Sequence, residues 1–162
     1  MNIAKTVSLI FACISFIIVI GGATYEHLAV VPAWSAAVPA SLTMFQGPYA
    51  LTAQKFWIPI HPVAIALLTI ALIFNWRTER RKFIVVTLAG YLLVLAITAV
   101  YFVPELMALT QTVYRTSVDP ELTRRATQWE ALSVVRLAFL LSLAFTLLFG
   151  LSRSGRATRI TA

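Results

Sequence analysis

Charge is scarce in this chain of 162 residues: charged side chains make up 12% of it, against about a quarter in a soluble domain. Hydrophobic residues make up 60%, and the mean hydropathy is +0.86. That balance excludes a soluble globule and a disordered chain, and it places the protein in the membrane class. Cysteine is limited to Cys13, inside an apolar run, which removes a disulfide framework, a CxxC redox pair and a cysteine zinc site. The chain has no P-loop, no GxGxxG and no nucleophile elbow, so NTPase, dinucleotide and hydrolase readings lack a motif. It also has no internal repeat and no low-complexity tract, and residues 1–162 read as a single membrane domain.

What the chain has is four apolar runs, each near the roughly 20 residues that span about 30 Å of hydrocarbon. They predict transmembrane helices over about 6–25, 57–76, 83–103 and 129–151. The first lacks a clear cleavage site and reads as a retained helix rather than a signal peptide. The expected fold is all-α: an integral membrane bundle of four transmembrane helices with two long outer loops. A short interfacial or re-entrant helix, broken at Gly47 and Pro48, is expected within 39–53. Pro59 is read as lying in the first turn of the second helix. The tight basic connection 77–82 forces the second and third helices into an antiparallel hairpin. Asp119, Pro120 and Glu121 form a helix start, so the fourth helix is expected to begin outside the membrane, with an i,i+4 pair of Glu121 and Arg125 on its exposed stretch.

The charge distribution orients these helices. Lys5, Arg77, Arg80, Arg81, Lys82, Arg153, Arg156 and Arg159 lie on the side of the termini, opposed only by Glu79. The other side carries Lys55, Arg115, Arg124, Arg125 and Arg136 against an equal number of acids. The entire net charge of +7 therefore sits on the termini side, which is expected to be cytoplasmic in a bacterial inner membrane. Topology accounts for the basic pI, and no nucleic-acid partner is expected.

Chemistry in such a chain belongs where ionisable groups meet lipid. Arg136 lies within the fourth apolar run and needs a carboxylate partner or a wet interior. Glu130 faces away from it on the helix, so Glu105 or Glu26 from another helix is the expected partner. Arg125, Trp129, Ser133 and Arg136 share one helix face. Glu26 and His27 end the first span, His61 opens the second, Glu105 follows the third and Glu130 opens the fourth, which brings five metal-ligating side chains to one level. A transition-metal site on these residues, a b-type haem between His27 and His61, and no cofactor at all are the readings left open. His61 is expected near a helix N-terminus, whose dipole favours the neutral imidazole. Trp34, Trp57, Trp76 and Trp129 read as interface anchors. Trp129, Ser133, Trp34 and Tyr101 are further candidates for packing a flat lipophilic substrate.

The segments VVPAWSAAVPASL, FWIPIHP, YFVPELM and QWEALSVVR resemble the pattern of the anthrone-oxygenase-like family of small four-helix bacterial membrane proteins. The residues that carry the resemblance are Trp34, Pro39, Pro59, Trp129 and Arg136. Ser133 departs from it, because relatives often have asparagine or histidine there. The resemblance implies a class rather than a reaction: most relatives have no established activity, and some fungal ones are associated with oxygenation of polycyclic anthrones without a dedicated cofactor. Two readings follow. In one, the protein is a membrane-embedded oxidoreductase or oxygenase-like enzyme acting on a lipophilic small molecule near the outer face. Arg136 then stabilises an oxyanion, Glu105 or Glu26 orients it or takes a proton, and His61 acts as base or ligand. In the other, it is a non-catalytic scaffold subunit that binds a membrane partner or a second copy of itself, with Arg136 in a structural ion pair.

Overall fold

The computed structural model describes residues 3–153. Four long helices account for most of them: α1 (Ile3–Ser35), α2 (Gln54–Asn75), α3 (Arg81–Thr110) and α4 (Pro120–Ser152). Each is long and apolar enough to cross a membrane. Helix α1 packs against α2 and α4, α3 packs against α4, and α2 packs against α3, which closes a four-helix ring. The connection from α2 to α3 is tight, so these two helices form the expected antiparallel hairpin.

Two helices run farther than the apolar runs predict, each continuing past a proline. Pro32 and Pro104 cannot donate to the carbonyl four residues back. Just ahead of each, the helix widens into a single π-turn, Glu26–Val30 in α1 and Thr98–Phe102 in α3. There the Val31 and Val103 amides donate five residues back, to the Glu26 and Thr98 carbonyls. The helices thus pass their prolines and continue to Ser35 and Thr110. Helix α2 starts at Gln54, three residues ahead of expectation. Pro59 and Pro62 therefore lie inside the helix rather than in its first turn, and the Lys55 and Ile58 carbonyls lose their regular donors. Helix α4 begins at Pro120 as expected, capped by Asp119, whose carboxylate accepts from the Glu121 and Leu122 amides at 2.9 and 3.1 Å. At 1.5 Å per residue its length is about 50 Å.

The interior divides into two apolar clusters. One lies between the long helices, around Leu9, Phe16, Leu68, Tyr91, Leu143 and Leu147. The second lies at the loop end, around Trp34, Val38, Leu42, Phe102, Leu109 and Trp129. Segment 39–53 forms one short 3-10 turn, Leu42–Phe45, in place of the expected interfacial helix. It breaks at Gly47, whose φ of +77° is disfavoured for any residue with a Cβ. Leu42, fully buried, seats this segment on Trp34 and closes that end of the bundle. The Asp119 amide and the Thr123 hydroxyl both donate to the Val38 carbonyl, at 2.8 and 3.3 Å, and fix the segment to the start of α4.

At the opposite end, Arg80 is buried and acts as a latch. Its guanidinium donates to the Arg153 carbonyl at 2.9 Å, the Leu151 carbonyl at 3.3 Å and the Thr6 hydroxyl at 3.1 Å. The cation thereby satisfies carbonyls at the C-terminus of α4 and ties them to α1 and the α2–α3 turn. Of the cations counted on this side, Arg156 and Arg159 lie outside the described residues. Arg80→Gln is expected to lower the stability of the detergent-solubilised protein by about 2 kcal/mol, since three bonds to a charged donor are lost. Arg77→Gln, on an exposed neighbour, should stay within about 0.5 kcal/mol of wild type in the same thermal unfolding assay. Equal effects from the two substitutions would remove the latch.

Candidate functional site

Arg136 projects from the middle of α4 and is half-buried. It donates to the Ser133 hydroxyl one turn earlier at 2.7 Å and to the Thr98 hydroxyl of α3 at 3.1 Å. Its guanidinium carbon stands 4.1 Å from the centroid of the Phe102 ring. Thr98 and Phe102 open and close the α3 π-turn, and their i,i+4 spacing puts both on the face turned to Arg136. Every one of these partners is neutral. Among the described residues no carboxylate lies within ion-pair distance of Arg136; the pairs present are Arg124–Glu121 and Arg125–Glu105. Two of the five guanidinium N–H groups are engaged by these hydroxyls, which leaves donors and a full positive charge available.

The expected partnership with Glu105 is therefore corrected. Glu105 lies seven residues beyond Thr98 on α3, about 10 Å farther along the axis, and so stands level with Arg125 instead. Arg125 holds it in a fork, with Nε and Nη2 donating at 2.8 Å each. This also displaces the expected Glu121–Arg125 pair: Glu121 accepts from Arg124 at 2.7 and 2.8 Å. Glu26, the other expected partner, accepts from the Trp57 indole at 2.8 Å and lies within Coulombic reach of Arg136 without pairing with it.

His61 belongs to the same interior region. Its Nδ1 shares a hydrogen bond of 2.7 Å with the hydroxyl of the fully buried Tyr91, and its ring stacks on Trp57 at 5.4 Å. It also lies within Coulombic reach of Arg136. Because α2 begins at Gln54, His61 sits beyond the first turn, and the expected helix-dipole effect on it does not apply. None of the residues singled out for catalysis is bonded to another: Arg136 is held by Thr98 and Ser133, Glu26 by Trp57, His61 by Tyr91 and Glu105 by Arg125.

The five residues considered as metal ligands have separate partners. His27 donates through Nδ1 to the Ala23 carbonyl at 2.7 Å, Glu130 accepts from the Ser35 hydroxyl at 2.7 Å, Glu105 is held by Arg125, Glu26 by Trp57 and His61 by Tyr91. Among the described residues no three His, Cys, Asp or Glu side chains are grouped to hold a metal ion.

Beside Arg136, α3 and α4 leave a cleft of about 440 Å³ on the outside of the bundle. Leu93, Ile97 and Tyr101 line it from α3, and Leu132, Val135 and Phe139 line it from α4, with Arg136 as its charged wall. Ser133 and Tyr101, both expected around a substrate, adjoin this wall. The two expected tryptophans do not line it. Trp129 is buried one ring behind Phe102, with centroids 5.9 Å apart, and donates to the Phe102 carbonyl at 2.9 Å. Trp34 lies a further ring back, 5.6 Å from Trp129. Both are core residues rather than interface anchors, whereas Trp76 is half-exposed.

Thr98, Phe102 and Tyr91 are site residues that sequence reasoning passed over. One signal was available: Thr98 is a hydroxyl within an apolar run, four residues before an aromatic and six before a proline.

The molecule is thus an all-helical bundle with four helices suited to crossing a membrane and an arginine-walled apolar cleft. No family model, curated protein or solved structure matches the chain.

A double-substitution cycle on Glu105→Gln and Arg125→Gln is expected to give a coupling of about 1 kcal/mol, as for a partly exposed forked pair. The same cycle on Glu105 and Arg136 should give coupling near zero. A larger coupling to Arg136, read from thermal unfolding, would restore the partnership expected from the sequence.

Proposed function

We propose that the protein spans a bacterial plasma membrane, with both termini cytoplasmic, and binds a lipophilic molecule in the Arg136 cleft. The ligand carries a carbonyl or ionised oxygen, and the protein acts on it as an oxidoreductase or oxygenase-like enzyme. One observation carries this reading: a guanidinium without a carboxylate partner among the described residues forms the charged wall of an apolar cleft. In apolar surroundings such a cation attracts an oxyanion far more strongly than it would in water. The cleft opens outward between exposed Leu93 and Val135, so a ligand reaches it from within the hydrocarbon.

The chemistry that fits is removal of a proton beside a ligand carbonyl, giving an enolate or phenolate whose oxygen faces Arg136. Such electron-rich anions react with dioxygen, which agrees with the anthrone-oxygenase-like resemblance. Glu26 and His61 are bonded to Trp57 and Tyr91 and do not line the cleft, so the proton reaches either of them only through an intervening group, while Thr98 and Ser133 hold the guanidinium plane in place. Arg136 without an ion pair speaks against the scaffold reading in the form that needs Glu105 as its structural partner.

The test uses anthrone, compared with anthracene as a hydrocarbon of the same shape. Anthrone is expected to bind the protein in lipid nanodiscs, to be consumed with uptake of oxygen, and to bind about tenfold or more weakly to Arg136→Lys, because an ammonium does not replace the planar fork. Anthracene binding should respond little to the substitution. If folded Arg136→Lys binds and turns over anthrone as wild type does, the proposal fails.

A further inference from the structure

A second pocket, of about 480 Å³, lies at the opposite end of the bundle, where the α2–α3 turn meets the end of α4. Its walls are Thr78, Glu79, Arg81, Lys82 and Arg153, so three cations face one acid. Among the described residues none of these four charged groups is in an ion pair. The cations are held in place by aromatic faces. Arg81 lies over Trp76 at 5.2 Å, while Lys82 and Arg153 lie over Phe83 at 5.1 and 6.0 Å. Beneath them, the buried Arg80 latch fixes the Arg153 carbonyl at 2.9 Å and with it the position of that wall.

We propose that this pocket is a binding site for the phosphate headgroup of an anionic phospholipid. The residual charge of the walls complements a phosphate, and cation clusters at the ends of membrane helices bind such headgroups. The surroundings favour a lipid over a free phosphate ion. Val85 and Val86 follow Arg81 and Lys82 by four residues, so they continue the same faces of α3, and both are exposed. Exposed Ile73 and Phe74 do the same on α2 beside Trp76. A phosphate seated among the cations therefore has apolar tracks directly below it for its acyl chains, and Trp76 marks the headgroup level.

Native mass spectrometry of the wild-type protein, released from detergent with equimolar phosphatidylglycerol and phosphatidylcholine, tests this directly. Phosphatidylglycerol is expected to be retained about tenfold more than phosphatidylcholine, and to raise the unfolding midpoint where inorganic phosphate at the same concentration does not. The triple variant Arg81→Gln, Lys82→Gln, Arg153→Gln should lose that preference. A control triple, Lys55→Gln, Arg115→Gln, Arg124→Gln, should keep it. Equal retention of the two lipids by wild type overturns the proposal without recourse to any variant. A preference that survives in the first triple overturns it too, and a midpoint shift reproduced by inorganic phosphate reassigns the pocket to a free anion.

Discussion

Placing a guanidinium among apolar helices costs about 2.5 to 3.5 kcal/mol near a bilayer centre, and the surroundings of Arg136 are organised around offsetting that cost. They do so with neutral groups. Two hydroxyls meet its N–H groups and a phenyl ring covers one face, contributions of about 1 kcal/mol each at best. A carboxylate in their place would satisfy the cation more fully, and two lie on neighbouring helices. One of them, Glu105, is instead held by Arg125, and the other, Glu26, by Trp57. Holding the acids elsewhere is what leaves Arg136 without a direct ion pair among the described residues.

The backbone makes this arrangement by bending its own rules at two places. Each π-turn begins at a site residue, Glu26 in α1 and Thr98 in α3, and each is followed by a proline. The extra residue per turn rotates the following segment and re-aims the side chains around it, which is why such turns recur at functional sites. Without the turn at 98–102, the segment that follows it, Glu105 included, would stand at another azimuth relative to Arg136. In α1 and α3 the proline, the π-turn and a polar site residue thus fall together, whereas α2 carries Pro59 and Pro62 within a regular helix.

The helical fold was legible because its signals are long and additive. Four apolar runs, one tight basic turn and the Asp119–Pro120 start predict the order of the helices, the hairpin and the beginning of α4. The site was legible in its ionisable members and not in their pairing. A charge stands out in an apolar run, whereas the choice between Glu105 and Glu26 depends on helix extensions of seven to ten residues beyond the apolar runs. Those extensions arise where π-turns carry α1 and α3 past Pro32 and Pro104, and no hydropathy pattern announces them. Trp34 and Trp129 misled for a related reason. Near span ends, tryptophan reads as an interfacial ring, but here the helices and the 36–53 segment build a second core beyond the span ends, and that core buries both.

The two ends of the bundle use arginine in opposite ways, and the contrast separates structure from function. Arg80 is buried and directs its donors at carbonyls that the end of α4 would otherwise leave unmet, so its charge is spent on holding three segments together. Arg136 touches only hydroxyls and a ring, binds α3 to α4 weakly, and faces open apolar space. A residue kept for packing alone would be better served there by leucine, which carries no desolvation cost and would fill the cleft. An incompletely satisfied cation beside an apolar groove is what the proposed ligand would complement, with apolar bulk for the groove and an oxygen bearing negative charge for the cation.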